Sequence, residues 1–129
     1  MESLVEQIIR IKNKAIDHFE EKQPLLLKLV LKFTANRRYG YQFLDEEKGI
    51  LEEYTFLYDD RHIKGYEEGI NNVSLTVGIK KSLLERKLKE ITASEDDYIK
   101  HLFSNFLRDL PQYVLYLLRG DMRFGRMNK

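Results

Sequence analysis

The chain has 129 residues, 43% of them hydrophobic and 33% charged, with 22 Lys+Arg against 21 Asp+Glu for a net charge of +1. That length and balance suit one soluble domain with one core and supply no general field for nucleic acid or an anionic membrane. The absence of cysteine excludes disulfides, a thiolate nucleophile and Cys-ligated zinc.

The opening stretch, MESLVEQIIRIKNK, interrupts its apolar residues with Glu2 and Glu6 and does not read as a signal peptide. No run approaches the ~20 apolar residues of a membrane helix, and the expected location is cytoplasmic. From Glu2 to Lys22, Leu4, Val5, Ile8, Ile9, Ile16 and Phe19 fall on one side of a 3.6-residue repeat, an amphipathic helix that Pro24 stops. PLLLKLVLKFTA then alternates, with Leu25, Leu27, Leu29, Leu31, Phe33 and Ala35 on one side, which predicts a long half-buried strand. NRR reads as a hairpin loop into a strand carrying Tyr39, Tyr41 and Phe43. That hairpin would set Ala35 against Tyr39, Phe33 against Tyr41 and Leu31 against Phe43.

After the turn DEEKG, a strand from Ile50 to Tyr58 is expected. Pairing Asp45 with Ile50 places Tyr41 against Tyr54 and Tyr39 against Phe56, whereas a one-residue slip scatters the aromatics. DDRHIKGYEEGINN is polar, holds two glycines and predicts a loop. Val73 to Ile79 reads as the strand closing the sheet and Lys80 to Ile91 as a helix. Ser94 and Asp97 form a candidate capping box before a helix carrying Tyr98, Ile99, Leu102, Phe103, Phe106, Leu107 and Leu110, which Pro111 interrupts. Tyr113 to Arg119 fits either a short helix ending at Gly120 or a buried strand. The class is α+β: an N-terminal helix and an antiparallel sheet of four to five strands, covered on one face by C-terminal helices, in a single domain over residues 1–129.

Chemistry is sparse. VGIKKS places a Gly, lysines and Ser82 between a strand and a helix, but the full phosphate-loop spacing is absent, so Ser82 is expected to cap the helix and the lysines to be solvated. His18, His62 and His101 show no paired-ligand spacing, and Asp59, Asp60 and His62 are three neighbouring residues of a polar loop. Basic residues interleave with aromatics at NRRYGY and RGDMRFGRMNK, a pattern that can grip a single strand, yet the net charge argues against nucleic acid. No nucleophile–base pair, metal set or cofactor motif is present. Glu52 falls on the aromatic face opposite Phe43, where desolvation would raise its proton affinity, and an enzymatic reading would use it with Tyr54 or Tyr41. The apolar residues from Tyr98 to Leu118 exceed what one sheet cover needs. They complete the core, wall a cavity or form a surface for a partner or a second copy.

VSLTVGIKKSLLERKLKE resembles the strand-then-helix segment of sterol-carrier-protein (type 2-like) domains. YLLRGDM is similar to that family's late strand, which ends in a basic–Gly–acidic turn, here Arg119, Gly120 and Asp121. The expected element order is similar too: leading helix, antiparallel meander, strand, helices, closing strand. The resemblance spans most of the chain as topology and two segments as motif. The chain departs from it in a longer region between the motifs and in PQYVLYL before the last strand. It implies a non-enzymatic domain, without cofactor or catalytic residues, that takes up a lipid or fatty acyl chain between the sheet and the C-terminal helices. Its matching positions are Leu83, Leu84 and Leu88. Phe103, Phe106, Leu107 and Leu110 join them from apolar periodicity, and Glu52 from its place on the aromatic face.

Overall fold

A computed structural model describes residues 2–34 and 37–125. Helix α1 spans Leu4–Lys22 and begins at a capping box: the Glu6 N–H donates to Ser3 Oγ at 3.1 Å, and the Ser3 N–H to Glu6 Oε1 at 2.9 Å. Its inner stripe buries Val5, Ile8 and Ile11.

Residues Pro24–Thr34 form a second helix, α2, and not the expected strand. Pro24 suits a first helical position because it has no N–H to leave unpaired, and Gln23 joins the helices by donating to the Phe19 carbonyl at 2.6 Å while accepting from the Leu27 N–H at 3.0 Å. Leu and Lys are strong helix formers, and an alternating Leu pattern also contains the i, i+4 pair Leu27 and Leu31. Leu27 is 6% exposed, whereas Leu25 is 83% exposed, so the two do not share a face as a strand would require. The expected hairpin is therefore absent. Residues 31 and 33 are helical, and Ala35, with its expected pairing to Tyr39, lies outside the described residues.

The sheet comprises β1 (Arg38–Leu44), β2 (Ile50–Tyr58), β3 (Ile63–Glu68), β4 (Leu75–Lys80) and β5 (Met122–Gly125), in the order β3-β2-β1-β4-β5. β1 and β2 pair antiparallel in the expected register, Tyr41 against Tyr54 and Tyr39 against Phe56. A bulge after Phe43 sets Leu44, not Asp45, against Ile50. Asp45 is left free for the turn, where its Oδ1 accepts the N–H groups of Glu47 at 2.9 Å and Gly49 at 2.8 Å. β3 occupies part of the segment expected to be a loop. It is an edge strand: only Ile63 is buried, and the exposed Lys64, Glu67 and Glu68 hide the strand pattern while discouraging edge-to-edge pairing. Asn13 of α1 pins it by exchanging two hydrogen bonds with the Ile63 backbone, at 2.8 and 3.1 Å.

The connection after β3 carries the chain past β1, so β4 lies parallel to β1 and the sheet is mixed, though mostly antiparallel. Gly40 permits a close approach on that side of the sheet: a Cβ there would lie 2.8 Å from Ile70 Cδ1. Helix α3 (Lys81–Ala93) follows β4 directly. Helices α4 (Glu95–Lys100) and α5 (Leu102–Arg119) replace the single helix expected before Pro111. Ser94 precedes α4 but makes no side-chain capping bond. Pro111 does not interrupt α5. It removes only the donor to the Leu107 carbonyl, on an exposed part of the helix that water reaches. Tyr113–Arg119 is helical and ends at Gly120 (φ 79°), where the Asp121 N–H returns to the Tyr116 carbonyl at 2.9 Å. The closing strand is the later Met122–Gly125. Among the described residues no helix is long and apolar enough to cross a membrane.

The core lies between the aromatic face of the sheet and helices α1 and α3. Phe43, Phe56 and Ile63 pack with Val5, Ile8, Ile11, Leu88 and Ile91. Tyr41 meets Phe56 at a ring distance of 4.5 Å and Phe43 meets Tyr54 at 5.5 Å, the diagonal contacts that cross-strand neighbours allow. Because Leu27 is buried and Leu25 is not, Leu27→Ala should cost about 2–5 kcal/mol in urea unfolding, and Leu25→Ala less than about 0.5 kcal/mol. Equal costs would restore the strand.

Candidate functional site

The two helices that cover the sheet, α1 and α3, leave α5 to pack on β5 and α4, and no α5 residue is buried. A half-open groove of about 650 Å³ results. Its floor is Tyr41, Val77 and Ile79 of the sheet with Met122 and Phe124 of β5; one wall is Leu83 and Leu84 of α3, and Ile8 and Lys12 of α1 reach the same space. The opposite wall is Phe106, Leu110, Tyr113 and Leu117 of α5, a stripe at i, i+4, i+7 and i+11. A smaller hollow of about 460 Å³ lies among Phe19, Ile91, Tyr98, Leu102 and Phe103. Lys87, Phe106 and Tyr113 line both spaces.

Lys87 fastens α5 to α3. It pairs with Asp109, and its Nζ lies 5.4 Å from the Tyr98 ring centroid and 5.7 Å from that of Tyr113. Arg108 adds a 3.0 Å bond to Glu90 of α3. Burial alone would lower the Lys87 pKa, but the Asp109 carboxylate and the Tyr98 phenol outweigh it and hold the ammonium above its ordinary value. Asp109 is held down at about 2, by Arg108 first and Lys87 after it, against the opposing effect of burial.

The expected site residues divide into four groups. Leu83, Leu84, Phe106 and Leu110 line the large groove, and Phe103 and Phe106 the small one. Leu88 faces the core, 6% exposed, where it packs with Phe43 and Phe56 instead of lining either space. Leu107 is exposed on the outer side of α5, because a helix carrying apolar residues over so wide an arc cannot turn them all toward one groove. Glu52 stands opposite Phe43 as expected, but outside both spaces, and its pKa is lowered, not raised. Lys81 is the main cause: it pairs with Glu52, and the Tyr54 hydroxyl donates to the same carboxylate at 2.6 Å. The same bond pushes the Tyr54 phenol up to about 12, so neither group is poised to move a proton near neutrality.

Lys12 is the groove residue that the apolar pattern concealed. It continues the stripe of Val5, Ile8, Ile16 and Phe19 at helical spacing, and a lysine in such a stripe is the signal that points to it. The other candidate chemistry is internally satisfied. At VGIKKS, Lys80 bonds Glu46 and Asp121, each at 3.3 Å, and Ser82 donates to Glu46 at 2.6 Å instead of capping α3. His62 pairs with Asp17 at 2.7 Å, Asp59 accepts the Arg61 and His62 N–H groups, and no metal-binding cluster occurs among the described residues. Arg38 bonds Glu67 at 2.8 Å, which occupies the basic side chain beside Tyr39.

No protein-family model matches the chain, and no curated protein matches it.

Asp109 contributes stability that is complete above the unfolded carboxyl pKa, near 3.8, and is lost as the pH falls through about 2. Asp109→Asn should therefore flatten the acid limb of the stability profile between those two values and speed amide exchange in α5 at neutral pH. An unchanged acid limb would mean that the carboxylate does not hold the helix.

Proposed function

We propose that the chain is a cytoplasmic, non-enzymatic binder of apolar ligands, taking a lipid or fatty acyl chain into the groove between the sheet and α5. The observation that carries this reading is the groove itself: about 650 Å³, half open, with Leu, Ile, Val, Phe, Tyr and Met on its floor and walls. Its volume lies in the ~300–1,000 Å³ range of small-molecule sites. Burying a hydrocarbon chain there contributes roughly 25 cal/mol for each Å² removed from water, without directional groups. The resemblance to sterol-carrier-protein (type 2-like) domains points the same way at VSLTVGIKKSLLERKLKE, a strand followed directly by a helix, whereas α2 stands in place of the first strand of the expected meander and Tyr116–Arg119 of YLLRGDM ends a helix. Purified under native conditions, the protein should carry extractable lipid in its native mass spectrum, and the emptied protein should take up the neutral dye Nile red. Val77→Trp, which fills the floor, should abolish uptake. Protein that emerges empty and ignores the dye would sink the reading.

A second reading rests on a different face. Leu107, Val114 and Leu118 form an outer stripe on α5, with Leu118 79% exposed and Leu107 52% exposed. Such a stripe suits a protein partner or a homodimer. In that case light scattering would give twice the chain mass, and Leu118→Asp would restore the monomer while leaving dye uptake intact.

A further inference from the structure

The groove is apolar but not neutral. Its charged side chains are Lys12, Arg86, Lys87 and Glu90. Lys87 is held by Asp109, and Glu90 is shared between Lys87 and Arg108. Among the described residues neither Lys12 nor Arg86 forms an ion pair. Arg86 is exposed, so water solvates it; Lys12 is only partly exposed. Lys12 sits one turn beyond the buried Ile8, with its Nζ 5.6 Å from the Tyr41 ring centroid. Tyr41 favours the charged form of Lys12 and, with Tyr58, outweighs the burial that opposes it. Lys12 also donates one side-chain hydrogen bond to the Tyr41 phenol, but a neutral phenol takes one of the three ammonium donors and neutralises none of its charge.

We propose that Lys12 binds the anionic head of a single-chain amphiphile, a fatty carboxylate, whose chain lies against Val77, Leu84, Leu110 and Leu117. This rests on the reading of the groove as an apolar-ligand site and adds what selects the ligand. One lysine neutralises one carboxylate, and the charge-assisted bond replaces the water both groups lose. A dianionic phosphate would leave a second charge to be desolvated beside apolar walls. A neutral alcohol or ester would fill the same walls and leave the ammonium without an anion.

The test is displacement of Nile red by hexadecanoate, hexadecanol and hexadecyl phosphate. A charge-assisted bond predicts that hexadecanoate displaces the dye at about tenfold lower concentration than hexadecanol. In Lys12→Met, which keeps an apolar stem, that advantage should vanish while hexadecanol affinity stays within about twofold. Lys12→Gln repeats the comparison if methionine disturbs the fold. Arg86→Met should keep the preference; if it removes the preference instead, the head group belongs to Arg86 and the assignment falls. It also falls if hexadecyl phosphate binds as tightly as hexadecanoate in a Lys12-dependent way. Equal affinity of the wild-type protein for acid and alcohol overturns this inference and leaves the carrier reading standing. Uptake of none of these compounds, nor of the dye, removes the carrier reading itself.

Discussion

The aromatic face of the sheet is filled by two helices, and the chain has a third amphipathic helix to place. Val5, Ile8 and Ile11 of α1, with Leu88 and Ile91 of α3, complete the core over Phe43, Phe56 and Ile63. Helix α5 then packs mainly on β5 and α4 and is tied to α3 by polar contacts, so its apolar arc is divided. One half faces the sheet across an open groove, and the other half faces away. The groove, the hollow beside it and the bare outer stripe all follow from that exclusion.

With no α5 residue buried, polar contacts carry much of the fastening of α5 to α3. Lys87 works because it is surrounded on three sides: Asp109 supplies the charge, and Tyr98 and Tyr113 supply ring faces. Double anchoring of Asp109 by Lys87 and Arg108 suits a partly buried carboxylate, which would otherwise be costly to desolvate. Lys12 stands in contrast. It is a cation on the inner stripe of a helix, hydrogen-bonded to the Tyr41 phenol and beside its ring, with no carboxylate partner among the described residues, and a desolvated charge of that kind is expensive unless something completes its shell. The fold thus places on the same groove one lysine paired with a carboxylate and one without such a partner among the described residues.

Much of this architecture is legible residue by residue. The 3.6 repeat of α1, the aromatic register of β1 and β2 and the strand-to-helix change near Gly78 are local patterns, and all three recur in the structure. Leu83, Leu84, Phe106 and Leu110 reach the groove because helical periodicity states which side chains share a face. Leu88 and Leu107 miss it because periodicity does not say what lies opposite that face. Glu52 was legible in register but not in charge state, since its partner Lys81 lies 29 positions further along the chain. The α2 segment misleads because Leu at alternate positions satisfies both periods, and only its packing on α1 selects the helix.

The sequence by itself determined the class of fold and the strongly periodic elements, because each depends on residue type and short-range spacing. The tertiary structure alone decided that β4 runs parallel to β1, that β3 and β5 are strands, that α5 continues through Pro111 and that Lys87 meets Asp109. It also decided that Lys12, one more lysine in a charge-balanced chain, stands in an apolar groove without an ion-pair partner among the described residues. These features depend on which surfaces remain uncovered once α1 and α3 have taken the sheet, and that is a competition among distant segments which no local period records.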